Sequence, residues 1–134
     1  MKTIQDYSIY CTEEQTKKAL ELGAPISNAV GMADIVKEKY FGDGKGNFII
    51  LPTAEQMISW LEEQGILVDI NPINGLHFYW MLRTKELDEG SGRYMWECQY
   101  TTPERDLEYD SRKKATLAAI DAALDYLSKK NQNN

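Results

Sequence analysis

The chain predicts an α+β fold: a three-stranded antiparallel β-meander packed by about four helices, one of them a long C-terminal helix. Three observations carry this. Two aromatic-rich runs, residues 76–83 (LHFYWMLR) and 94–100 (YMWECQY), flank the turn-like Asp88-Glu89-Gly90-Ser91-Gly92 and read together as a β-hairpin. The β-branched run 66–70, set off by the turn cluster Asn71-Pro72-Ile73-Asn74-Gly75, supplies the third strand. Elsewhere apolar residues recur at helical spacing behind recognisable caps.

In chain order, Thr12-Glu13-Glu14-Gln15 has the spacing of a capping box, so a helix starts there. Ala19, Leu20 and Leu22 give it an apolar side, Gly23 closes it and Pro25 discourages continuation. Ser27 or Asn28 caps a second helix through Val30, Ala33, Val36 and Tyr40, ended by the glycine-rich loop 42–47, after which 48–51 is a short apolar strand. Pro52-Thr53-Ala54-Glu55-Gln56 repeats the capping device for a third helix, with Met57, Trp60 and Leu61 as its stripe up to Gly65. The two starts share a T-x-E-Q-x4-L-E pattern, which the common need for a cap and an apolar face explains without duplication.

Period-two alternation in the middle strand sends Leu76, Phe78, Trp80 and Leu82 to the core and His77, Tyr79, Met81 and Arg83 outward. In the next strand Tyr94, Trp96, Cys98 and Tyr100 form the apolar set, with Arg93, Glu97, Gln99 and Thr101 opposite. Matching apolar to apolar pairs even with even residues and demands a loop of three or five residues. Finally Leu117, Ile120, Leu124 and Leu127, with Ala119 and Ala123 beside them, form the buried stripe of the C-terminal helix behind a cap at Asp110 or Ser111. Residues 1–130 are expected to form a single domain and 131–134 a frayed polar tail, which here includes Gln132.

Composition narrows the function. With 134 residues, 43% hydrophobic and 27% charged, the chain suits one globular core. Its formal charge of -6 repels a phosphate backbone, so direct DNA binding is not expected. No run approaches the ~20 apolar residues of a membrane span, and a cytoplasmic protein is expected. Cys11 and Cys98, without C-x-x-C spacing, read as two reduced structural thiols.

The candidate chemistries fail in turn. When the loop from Asp43 to Asn47 is aligned as a calcium loop on Gly46, Lys45 falls at a ligand position and Pro52 where a bidentate glutamate is needed. The same glycines stand in helix–loop–strand order, the reverse of a phosphate loop. His77 is the only histidine and has no cluster of ligands or nucleophile placed beside it. Glu62-Glu63 and Asp88-Glu89 are sequence neighbours and diverge on a helix or turn, so they are surface rather than an acid/base dyad. No catalytic residue, cofactor site or metal site is therefore assigned.

What stands is a recognition face of His77, Tyr79, Met81, Arg83, Glu97 and Gln99, since aromatics mixed with arginine suit a protein partner or a flat ligand, unless helices cover it. The reading favoured is a non-enzymatic accessory or interaction protein whose partner and oligomeric state the residues do not name. The alternative is a small-ligand binder or enzyme with a pocket between the sheet and the Trp60 helix, using His77, Tyr79 and Arg83.

Tyr10-Cys11-Thr12-Glu13-Glu14-Gln15, then Leu20-Glu21-Leu22-Gly23-Ala24-Pro25, then Pro52-Thr53-x-x-Gln56-x-x-x-Trp60-Leu61 and the late alanine-rich helix follow one another in a telling order. In this the chain resembles a family of small uncharacterised proteins encoded in phages, prophages and mobile elements of gut bacteria. The distinctive hairpin departs from that pattern. The resemblance implies an accessory protein of a mobile element and carries over no catalytic residue.

Overall fold

The structure, a computed structural model, describes residues 9–26, 28–29, 40–42, 44–46, 48–73, 77–101 and 109–132. Helix α1, Glu13–Glu21, begins in a full capping box. The Thr12 hydroxyl accepts from the Gln15 amide at 3.1 Å, and the Thr12 amide donates to Gln15 Oε1 at 3.0 Å. Gly23, at φ 94°, ends it in the left-handed region, where a side chain would be strained.

Strands β1 (Asn28–Ala29), β2 (Tyr40–Gly42) and β3 (Phe48–Ile50) form a small antiparallel sheet in the order β1-β3-β2. Most of the second helix expected here, with Val30, Ala33 and Val36, lies outside the described residues. Its two ends are corrected, because Asn28 and Tyr40 sit in strands. The physical reason is the loop: Gly44 and Gly46 adopt positive φ, which lets the chain reverse so that Tyr40–Gly42 pairs with Phe48–Ile50 and the Tyr40 and Phe48 rings meet edge to face at 5.3 Å.

Helix α2, Ala54–Glu63, repeats the capping box with Thr53 and Gln56. The two helix starts lie side by side. Cys11 N donates to Pro52 O at 3.0 Å and Ala54 N to Ile9 O at 2.6 Å, around an antiparallel bridge between Tyr10 and Thr53.

Strands β4 (Ile66–Pro72), β5 (Phe78–Asp88) and β6 (Arg93–Thr101) form the expected meander in the order β4-β5-β6. Helix α3, Arg112–Gln132, is the long C-terminal helix and runs through Gln132, two residues into the expected tail. Ser111 caps it by accepting from Lys114 N at 3.1 Å. α2 packs on β4, α3 packs on β4, β5 and α2, and α1 packs on α3. Ala115, Ala119 and Ala123 are fully buried on α3, and these small residues let it lie close to its neighbours, with Ile120, Leu124 and Leu127 completing the stripe. The sheet contributes Ile66, Val68, Trp80 and Leu82 to this core. Three helices and two antiparallel sheets thus stand, among the described residues, where four helices and one meander were expected.

The register of the hairpin corrects the sequence reading. Its loop has four residues, Glu89 to Gly92, between the paired Asp88 and Arg93. Odd residues of β5 therefore face even residues of β6: Arg83 opposes Cys98, Lys85 opposes Trp96 and Leu87 opposes Tyr94. Beyond a β-bulge the parity is restored, and Leu82 opposes Tyr100. Gln99 is the extra residue. Because directly opposed residues share a face, Tyr94, Trp96 and Cys98 lie with Arg83 and Lys85, away from the helices. Trp80 is 6% exposed in the core, as expected, whereas Trp96 is 38% exposed and outside it.

Candidate functional site

The outer face of the meander is built by alternation. On β5 it carries Tyr79, Met81, Arg83, Lys85 and Leu87, and on β6 Tyr94, Trp96 and Cys98. Toward β4 the face is half-buried, and Arg83 Nε pairs with Asp69 Oδ2 at 3.2 Å. Toward the hairpin tip it is open. Leu87, Tyr94 and Trp96 are 51%, 63% and 38% exposed, and Lys85 Nζ lies 5.0 Å from the centre of the Tyr94 ring. Every residue of β6 from Arg93 to Cys98 is exposed on whichever face it points to, including Met95 on the side of the helices. This end of the hairpin extends past the layer that buries Trp80 and Leu82.

Of the six residues named from sequence, Tyr79, Met81 and Arg83 share the outer face. Glu97 does not join them, because it opposes Thr84 and so points to the side of the helices. Gln99 occupies the bulge, and its side chain lies outside what the structure describes. His77 stands just before β5, partly buried, with its carbonyl accepting from Ile73 N at 2.8 Å. The Asp110 carboxyl is held below the ordinary carboxylate range, first by the hydrogen bond from Lys114 and then by the Lys114 charge.

Tyr94, Trp96 and Cys98, which strand alternation assigns to the core, lie on this face, together with Lys85 and Leu87, which the sequence pattern does not single out. The turn held the missing signal. Asp88 accepts from Ser91 Oγ at 2.7 Å, its carbonyl accepts from Gly92 N at 2.8 Å, and Gly92 takes φ 72°. An aspartate followed four residues later by a glycine that can enter the left-handed region specifies this four-residue loop, and with it the parity of β6.

The thiols differ in kind. Both are free, but Cys11 is buried and Cys98 is exposed on the outer face. Burial, with a smaller contribution from the Asp121 carboxylate, pushes the Cys11 thiol up to about 12, so it stays protonated and unreactive at neutral pH. Among the described residues no group of three or more His, Cys, Asp or Glu is arranged to hold a metal ion, and no helix is long and apolar enough to cross a membrane.

Two clefts lie away from this face. One of about 640 Å³ runs along α2, where Trp60, Glu55 and Glu63 meet Pro25, Ile26 and Ile50. Another of about 520 Å³ lies between the starts of α2 and α3, over Ile70 and beside Arg112. Neither is lined by His77, Tyr79 or Arg83. No protein-family model, curated protein or solved structure matches the chain.

Proposed function

We propose that the chain is a non-enzymatic interaction protein, an accessory of a phage or mobile element, which holds another protein against the outer face of the β5–β6 hairpin. The observation that supports this is the exposure of Leu87, Tyr94 and Trp96 beside Arg83 and Lys85. Large apolar groups left in water are costly, and aromatic residues with arginine at the centre of a patch are the usual anchors of protein interfaces. The cations on a chain of net charge -6 favour a partner with acidic residues around an apolar strip. The resemblance to small mobile-element proteins supports the accessory role.

The test is to compare proteins that co-purify from the native host with the parent chain and with a Lys85→Glu/Trp96→Ser variant whose circular dichroism is unchanged. A specific partner held by the parent and lost by the variant is expected. A partner retained by the variant would refute this face as the binding surface.

The 640 Å³ cleft supports the second reading, a small-ligand binder, with Trp60 as the apolar wall and Glu55 and Glu63 as the polar groups rather than His77, Tyr79 and Arg83. Ligand-dependent changes in fluorescence that persist in Trp80→Phe and Trp96→Phe variants, and so report Trp60, would favour it.

A further inference from the structure

Among the described residues no strand pairs with the far edge of β6. The direction of its backbone groups follows from β5. Lys85 N donates to Gly65 O at 3.1 Å, which turns the Lys85 backbone toward β4. In an antiparallel ladder its partner Trp96 then turns its own N–H and C=O away from β5, and so do Tyr94 and Cys98 on either side. Between the loop and the bulge at Gln99 the strand therefore offers a straight row of outward backbone groups, a template for another strand.

We infer that this edge pairs antiparallel with the same edge of a second copy of the chain, about a two-fold axis at Met95. Such an interface is isologous, so a residue on the axis faces its own copy and the others pair symmetrically about it. With Met95 on the axis, Tyr94 faces the partner's Trp96, and their outward backbone groups exchange two hydrogen bonds at each of the two symmetric positions. On the opposite face Arg93 stands against the partner's Glu97, also twice. Other registers lose this charge match: an axis at Trp96 sets Glu97 against Met95, one at Glu97 brings two carboxylates together, and one at Tyr94 sets Arg93 against Met95. Charge complementarity therefore selects both the occupant and the register. The product is a six-stranded sheet whose two outer faces are continuous. This goes beyond the proposed function and does not depend on it, since it uses the edge of β6 rather than the face.

Pairing over so few residues makes a small interface, and a micromolar dissociation constant is expected. Sedimentation velocity from about 5 to 300 µM, a range set around that constant, should show the mass rising from monomer to dimer. Arg93→Glu and Glu97→Arg should each weaken the dimer by at least ~10-fold through like-charge contacts. The double variant Arg93→Glu/Glu97→Arg should dimerise again, and a mixture of the two single variants should form the mixed dimer. Arg93 also faces Asp88 within its own hairpin, so Glu97→Arg, which faces Thr84, is the cleaner single change. A chain that stays monomeric throughout the range would overturn the inference and leave the edge to a strand of another protein. So would a dimer indifferent to either reversal.

Discussion

Gln15 and Gln56 occupy the same position in two identical capping boxes, yet replacing them by leucine should have very different costs. Gln56 is exposed and serves its own helix. Gln15 is 2% exposed and also reaches α3, where its Nε2 donates to Leu117 O and to Asp121 Oδ1, each at 2.8 Å, while Oε1 accepts from Thr12 N. Gln15→Leu keeps the volume and removes all three bonds. A neutral hydrogen bond is worth ~1 kcal/mol net and one to a charged group ~2 kcal/mol, for a gross loss of ~4 kcal/mol. Asp121 is exposed and recovers water, and the leucine gains apolar burial, so the net loss is about 2–3 kcal/mol. That corresponds to roughly 10 °C in Tm for a chain of this size. Gln56→Leu should cost under about 1 kcal/mol, since only an exposed half of a capping box is lost. Urea unfolding followed by circular dichroism at unchanged m measures both. Equal midpoints for the two variants would refute the claim that Gln15 ties α1 to α3. Gln15→Glu adds a check of sign. A carboxylate facing Leu117 O and Asp121 is favoured in its protonated form by the fold, so the variant's deficit should narrow as the pH falls toward about 4 and widen as it rises to neutrality.

Trp80→Ala should cost ~3–5 kcal/mol and Trp96→Ala under ~1 kcal/mol in the same denaturant assay, reflecting their core and surface positions. The Cys11 thiol, raised in the fold to about 12, favours the native state fully below its unfolded value near 9 and loses that contribution as the pH rises through the folded value. Between pH 9 and 11 the stability of Cys11→Ala should therefore fall less steeply than that of the parent, by about 1.4 kcal/mol per pH unit. With a thiol reagent at neutral pH, native protein should react at Cys98 alone, and at Cys11 only after unfolding. Thr53→Ala should cost ~1 kcal/mol, read as a shift in urea midpoint.

Local chemistry was the legible part of this chain. Both threonine caps, the glycine ends at Gly23 and Gly65, the meander and the stripe of Ile120, Leu124 and Leu127 depend on residues a few positions apart, and each stands where its pattern places it. The face of β6 depends instead on an accumulated count. One residue at Gln99 and a four-residue loop move Trp96 from one side of the sheet to the other, although its strand pattern is unchanged. Tyr40 failed for a different reason. Its helical spacing from Val36 competed with pairing across a glycine-rich turn, and residues 40–42 and 48–50 form a strand pair. Of the outer face, Tyr79, Met81 and Arg83 were legible from β5 alone, while Lys85, Leu87, Tyr94 and Trp96 required the register.

The exposed outer face depends on that register, and disulfide trapping with the native Cys98 tests it directly. Arg83 and Cys98 oppose each other in a pair whose backbone groups point away from one another, where Cα atoms sit ~4.5 Å apart, within disulfide range. Arg83→Cys should close a bridge to Cys98 under mild oxidation, and Thr84→Cys should not. If Thr84→Cys closes the bridge and Arg83→Cys does not, β6 pairs in the unbulged register, Trp96 and Cys98 belong to the core side, and the exposed outer face does not exist.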